Sequence, residues 1–204
     1  MSGKIFLSTA YLPPAEYFAR IKEAGEVLIE SEEIYHKQSY RNRCYIMTAG
    51  GSQYLTVPVY LGSLHRTHIK DIRIDYSKRW QNVHLGALTS AYNSSPFFIY
   101  YFEVFEKIIL RNHQYLLDMN MELLSEILKI LKIEVQPVYT TEFIPVNSTE
   151  GDYRYTINPK KESLYVQREY FQVFNYLHGF VPQLSIIDLI LNTGNNSVNY
   201  LNSF

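Results

Sequence analysis

The sequence predicts a single α/β domain spanning residues 1–204, with a mixed β-sheet and a helical layer. Three observations carry this: a strand–helix–strand pattern at the amino terminus, a hairpin signal directly after it, and a run of amphipathic helical segments through the middle. The chain has 204 residues, 47% of them hydrophobic, which is enough to bury one core and short for two.

In chain order, "KIFLST" reads as a short buried strand. Pro13-Pro14 suits a helix start, since proline at the first helical position gives up only an N–H that lacks a partner anyway. The helix runs through "AEYFARIKEAG", burying Tyr17, Phe18 and Ile21 and stopping at Gly25, and "EVLIESE" follows as a second strand. Lys4 to Ser31 is therefore a β-α-β unit with parallel pairing. "RNRCYIM", the turn Ala49-Gly50-Gly51-Ser52 and "QYLTVPVY" form a hairpin, in which Pro58 places the second arm at an edge or a strand end. "IKDIRIDY" reads as a further strand.

Helices then dominate. Ser77 is a good N-cap for "KRWQNVHLGALTSAY", and Ser95-Pro96 opens "FFIYYFEVFEKIILRN", whose Phe98, Tyr101, Phe102, Phe105, Ile108 and Ile109 recur at helical spacing. "QYLLDMNMELLSEILKILK" carries a broad apolar face of Leu116, Leu117, Leu123, Leu124, Ile127, Leu128 and Leu131, and pairs with the helix before it. "IEVQPVYTTEFIP" reads as a strand. "NSTEGDYRYTINPKKESLYVQREY" is polar and aperiodic, a long loop. "QLSIIDLILNTG" closes with a helix and a glycine stop.

Composition excludes some functions. Nineteen basic against twenty acidic residues leave a net charge of −1, without the global basic bias of a general nucleic-acid or anionic-membrane binder. Any anion site must be local. One cysteine forbids an internal disulfide and fits a cytoplasmic location. The apolar run within "MSGKIFLSTAYLPP" is too short for a signal peptide or membrane span, so no membrane insertion is expected. Nineteen Tyr, eleven Phe and one Trp favour a cleft-bearing protein, because tyrosine suits half-buried surfaces.

The stretch "YHKQSYRNRC" concentrates local charge. If Lys37 to Tyr45 is extended, Lys37, Ser39, Arg41, Arg43 and Tyr45 share one face, and Asn42, Cys44 and Ile46 the other. Two guanidinium forks and a lysine on one surface would hold a phosphate or carboxylate. The alternative is surface pairing with Glu30, Glu32 and Glu33. Asn42 would orient a substrate or a catalytic histidine, or stitch the backbone of the next turn. Cys44 points into the core as a small hydrophobe, and a cysteine nucleophile is rejected.

Trp80 and His84, four apart on a helix, share a face. His84 is a candidate general base, against the alternative of a hydrogen-bonded core histidine. Asp188 is a candidate to orient it, but Ser185 and Asp188 also read as a capping box. Tyr11 and Tyr92 join Lys37, Arg41, Arg43 and Trp80 as substrate-binding candidates. His65 and His68 lack the further ligands of a zinc set, so no metal is expected. No phosphate-binding glycine loop or Gly-x-Ser-x-Gly elbow occurs, and no cofactor is implied.

Five blocks in order, "YLP" from Tyr11, "KQSYRNR" from Lys37, "LTVPV" from Leu55, Trp80 with His84, and "LSIIDLILNTG" from Leu184, resemble the WbqC-like family, most closely its shorter members from Bacteroidetes-type bacteria. The chain departs from the longer members in having Ser8-Thr9 before the Tyr-Leu-Pro block, where they have Gln-Pro, and in compressing the region between about Tyr139 and Tyr165. The resemblance implies a role in O-antigen or other surface-polysaccharide biosynthesis, with glycyl or other acyl transfer to an amino-sugar nucleotide as the leading activity. The partners implied are a nucleotide-linked sugar and an activated acyl donor: a carrier-protein thioester, an adenylate or an aminoacyl-tRNA, the last being the one nucleic acid expected. The alternative is a non-catalytic sugar- or partner-binding protein of the assembly machinery.

Overall fold

The computed structural model describes residues 3–60, 66–146 and 151–201. The β-α-β unit forms as expected: β1 (Lys4–Ser8), α1 (Ala15–Glu23) and β2 (Glu26–Glu30), with β1 and β2 in parallel register from Lys4↔Glu26 to Ser8↔Glu30. Ile5, Phe6, Leu7, Val27 and Ile29 are all buried, the mark of strands covered on both faces. Helix α1 follows Pro14 and turns Tyr17, Phe18 and Ile21 inward, ending at Ala24 one residue before the expected Gly25.

The hairpin forms from β3 (Arg43–Thr48) and β4 (Gly51–Thr56), antiparallel in the register Arg43↔Thr56 to Thr48↔Gly51. It is a sheet of its own. The parallel sheet is completed by β5 (Val138–Tyr139) beside β2, so the strands divide between two small sheets, where one mixed sheet was expected. β5 is only two residues of the thirteen expected as a strand.

Two further expectations fail for identifiable reasons. "IKDIRIDY" forms a 3₁₀ turn at Ile69–Asp71 followed by isolated bridges, Val59↔Ile74 and Arg73↔Tyr115. Its isoleucines face the core, but its main chain is shared between the hairpin's exit and residues 114–116, where a later helix begins. Ser77 does not cap the following helix: its N–H donates to Asp75 Oδ1, and α2 (Trp80–Tyr92) begins after Arg79 with no side-chain cap.

The helical layer continues with α3 (Phe98–Ile109) and α4 (Leu116–Leu131), which pack together, and all seven expected apolar residues of α4 are buried. A four-residue α5 (Asn175–His178) precedes α6 (Ile186–Thr193), which Ser185 caps by accepting from the Ile187 N–H, and a 3₁₀ turn follows at Gly194–Tyr200. A single core cluster takes in Leu7, Ile29, Cys44, Leu55, Leu88, Leu124 and Ile190, so both sheets and the helices share one interior.

Gly194 ends α6 at φ 56, and a Cβ there would lie 2.5 Å from the Phe97 ring. Gly194→Ala is expected to lower the urea-unfolding free energy by about 1–3 kcal/mol, combining left-handed strain with overpacking. An unchanged midpoint would show that Phe97 yields freely.

Candidate functional site

The expected cationic face does not form. Residues 37–42 make turns, with Gln38 at φ 56, and the strand starts only at Arg43. Lys37 is exposed, Arg41 is buried, and Arg43 lies at the surface of the hairpin, so the three side chains occupy different environments. The cause is Glu33. Its carboxylate takes Arg41 Nε at 2.8 Å and Nη2 at 2.5 Å, and the same Nη2 reaches Ser8 Oγ at 2.6 Å, drawing the guanidinium under the carboxyl ends of β1 and β2. Of the pairings foreseen with the neighbouring acids, this is the one made, and it is buried, not a surface arrangement.

Asn42 stitches the main chain. Its Nδ2 donates to the Val57 carbonyl at 2.9 Å while its own carbonyl accepts from the Val57 N–H at 2.8 Å, which fixes the exit of β4. One consequence appears a residue earlier. The Thr56 carbonyl is presented to α2, where it lies 3.2 Å from His84 Nε2. The other ring nitrogen, Nδ1, lies 2.9 Å from the Tyr11 hydroxyl. A carbonyl can only accept, so Nε2 carries the proton and Nδ1 accepts from Tyr11. Burial pushes the imidazole down to about 4, partly offset by its hydrogen bond to Thr56, so His84 is neutral at physiological pH. Tyr11 is itself anchored, donating its N–H to the Tyr40 carbonyl at 2.8 Å, and the next residue, Leu12, is held at φ 45, a strain of order 1–3 kcal/mol in a bulky residue.

Trp80 and His84 share a face as their spacing predicts, with ring centroids 5.0 Å apart. They wall a cleft of about 300 Å³ between β4 and the start of α2, completed by Gln53, Tyr54, Leu55, Thr56, Pro58, Lys78, Arg79 and Val83. Arg43 borders this cleft and does not line it: its guanidinium sits 4.2 Å over the Tyr54 ring, and Nε donates to Thr56 Oγ1 at 3.2 Å. The lining combines aromatic and cationic side chains and includes no acidic residue. The uncapped amino terminus of α2, with no acidic residue in its first turn, adds a partial positive charge beside Lys78 and Arg79. Lys78, Arg79, Tyr54 and Thr56 were not singled out from sequence. The Lys-Arg pair directly before a helix was the available signal.

Asp188 does not orient His84; Tyr11 holds the nitrogen that role requires. Nor does Asp188 complete a capping box, because the Ser185 N–H goes to the Tyr45 carbonyl at 2.7 Å. Asp188 turns inward, where Oδ1 accepts from Tyr170 at 2.7 Å and Gln172 at 3.2 Å. Oδ2 makes no hydrogen bond among the described residues, although the Tyr92 hydroxyl is close enough to help hold the charge. Tyr92 thus belongs to this second cluster, its hydroxyl accepting from the Met47 N–H at 3.2 Å, and is removed from the cleft.

A third polar cluster was invisible in sequence. Arg154, wholly buried in what reads as loop, binds Glu30 at 2.7 Å and Asp152 at 2.6 Å, tying residues 151–154 to β1 and β2. Its partner Glu30 is 124 positions away. Cys44 is buried and its thiol is pushed up by burial, as a core residue requires. Among the described residues no group of three or more His, Cys, Asp or Glu is placed to hold a metal ion; His65 lies outside them. No helix among them is long and apolar enough to cross a membrane.

Four of the five blocks, all but the one from Leu184, fall within the residues that the family comparison matches. The WbqC-like protein family matches residues 9–162, and the chain belongs to that family. An uncharacterised protein of Mycobacterium tuberculosis is 27% identical over 227 aligned residues, covering 98% of each chain. No solved structure matches.

Two measurements follow. Long-range ¹H–¹⁵N spectra should show His84 as the Nε2–H tautomer with no titration between pH 5.5 and 8; a midpoint near 6.5 would mean the ring is solvated. For Asp188, burial raises the carboxyl to about 6 from an ordinary 3.8. Its contribution to stability is therefore complete below pH 3.8 and is lost as pH rises through 6. Between pH 5 and 7.5 this loss is about 1–1.5 kcal/mol, by the linkage relation. His84 works in the opposite sense over the acid range, so the comparison is between wild type and Asp188→Asn, whose difference in unfolding free energy should change by that amount. A constant difference would place Asp188 in contact with water.

Proposed function

We propose that this WbqC-like protein serves surface-polysaccharide biosynthesis by holding a nucleotide-linked amino sugar in the β4–α2 cleft, where the sugar's amine receives an acyl group, a glycyl group among the candidates. The observation that supports this is the composition of one cleft: Tyr54 and Trp80 for a ring, Lys78, Arg79 and the α2 amino terminus for a diphosphate. Its size, about 300 Å³, is at the lower end for small-molecule sites and suits the sugar and phosphates with the base extending outward. Aromatic faces pack sugar rings, and helix amino termini beside cations favour phosphate.

In the transfer step the amine attacks the donor's acyl carbon, the new C–N bond replaces the bond to the donor's leaving group, and one proton must leave the nitrogen. His84 is the nearest imidazole to the cleft. Its Nε2 already carries a proton, and its basicity is lowered, so it accepts a proton only after tautomer exchange through Tyr11 and release from Thr56. That engagement of both nitrogens supports a second reading, a non-catalytic sugar-binding protein in which Tyr11 and His84 simply hold the cleft wall. In either reading the protein acts in the cytoplasm, where nucleotide-linked sugars are made.

Calorimetry with UDP-linked amino sugars tests the shared part. Wild type should bind, and Arg79→Ala should weaken binding about 10–100-fold, the scale of charge-assisted hydrogen bonds. Transfer of a labelled glycyl group from thioester, adenylate and aminoacyl-tRNA donors then separates the two readings. Binding without transfer selects the non-catalytic one, and no binding of any amino-sugar nucleotide overturns both.

A further inference from the structure

The segment from Leu164 to Gln172 belongs to neither sheet and to no helix. Its side chains alternate. Tyr165, Gln167, Tyr170 and Gln172 are buried, at 5%, 8%, 7% and 1% exposure, while Leu164, Val166 and Phe171 stand out at 93%, 62% and 61%. Arg168 and Glu169 are both exposed, so the alternation steps by one residue between them. From Leu164 to Phe171 the main chain makes no backbone–backbone hydrogen bond among the described residues, the Tyr165 N–H going instead to Ser163 Oγ. Tyr176 and Leu177, in the short helix that follows, are also exposed, at 79% and 52%. This much exposed apolar surface along one segment marks a contact site. The segment also lies beyond residues 9–162, the part matched by the family, so whatever covers it is not implied by that match.

We infer that the occupant is a second copy of this chain, joined across a twofold axis passing between Arg168 and Glu169 with the two segments antiparallel. The argument is self-complementarity. In an antiparallel arrangement about that axis, Arg168 of one copy stands opposite Glu169 of the other, and Val166 stands opposite Phe171. The buried residues match as well, Tyr165 with Gln172 and Gln167 with Tyr170. From Val166 to Phe171 every outward side chain meets an outward one, while Leu164 falls opposite the half-buried Val173, and the step in the alternation falls on the axis, where symmetry repeats it in both copies. Each dimer gains two Arg–Glu contacts and two apolar contacts from one short segment, as an isologous interface requires. A different protein would have to supply this charge order by chance, whereas a second copy supplies it by symmetry. Arg168 is prepositioned, its guanidinium resting 5.0 Å over the Tyr200 ring of its own chain while remaining exposed.

The experiment is sedimentation equilibrium and light scattering on the intact protein at 1–100 µM, with three variants chosen to leave the core untouched. Wild type should dimerise within this range. Arg168→Glu and Glu169→Arg, each of which sets like charges opposite one another twice, should each weaken dimerisation at least tenfold. The double variant Arg168→Glu/Glu169→Arg should restore it, because the exchange regenerates both pairs. Circular dichroism and unfolding midpoints equal to wild type keep a folding defect from imitating dissociation. A wild type that stays monomeric at 100 µM overturns the inference, even if the patch then binds vesicles or another protein. So does a dimer insensitive to both single variants, or a double variant that fails to recover.

Discussion

The buried pairing of Arg41 with Glu33 is the interaction on which the candidate site depends. Two charges taken out of water at the carboxyl ends of β1 and β2 are costly unless their hydrogen bonds are met, and here Nε and Nη2 are matched by both carboxylate oxygens and by Ser8. Meeting them forces residues 37–42 into turns and delays the strand to Arg43. Asn42 then locks onto Val57, and the locked exit of β4 presents the Thr56 carbonyl to His84. From the other side Tyr40, within the same turns, anchors Tyr11, which takes the second nitrogen of His84. The cleft wall is thus set from two directions by a guanidinium that does not line it.

The same device recurs nearby. Arg154 brings an irregular segment to the edge of β1 and closes on Glu30, itself bonded to Thr140 after β5. The parallel sheet has three short strands, with few ladder bonds to hold its carboxyl ends together. Two buried arginines supply what a longer sheet would supply through main-chain hydrogen bonds, and they specify which loops meet there. The cost is sensitivity: removing one partner leaves an uncompensated charge in the interior.

Much of the architecture was legible in sequence because it rests on local periodicity. The strand–helix–strand unit, the hairpin and the apolar face of α4 all follow from spacing and turn residues. Trp80 and His84 share a face for the same reason. What was illegible rests on long-range polar pairing. The parity argument placed Lys37, Arg41 and Arg43 on one face because it assumed an extended chain, and nothing in the local pattern announces that Glu33 would pull Arg41 inward. Asp188 looked like a capping residue because its spacing from Ser185 is right; the Tyr45 carbonyl, distant in sequence, had already taken the N–H it needed. "IKDIRIDY" carried strand-like residues, but two different neighbours compete for its main chain.

Urea unfolding of Arg41→Ala, read together with the His84 ring resonances, tests this dependence most directly. Leaving Glu33 buried without its partner should cost about 3–5 kcal/mol. In the fraction that remains folded, the His84 Nε2–H signal should shift or broaden, because the turns that hold Tyr11 and Asn42 have lost their anchor. A loss below about 1 kcal/mol, with the His84 signal unmoved, would contradict the account and leave the cleft wall independent of the buried pair.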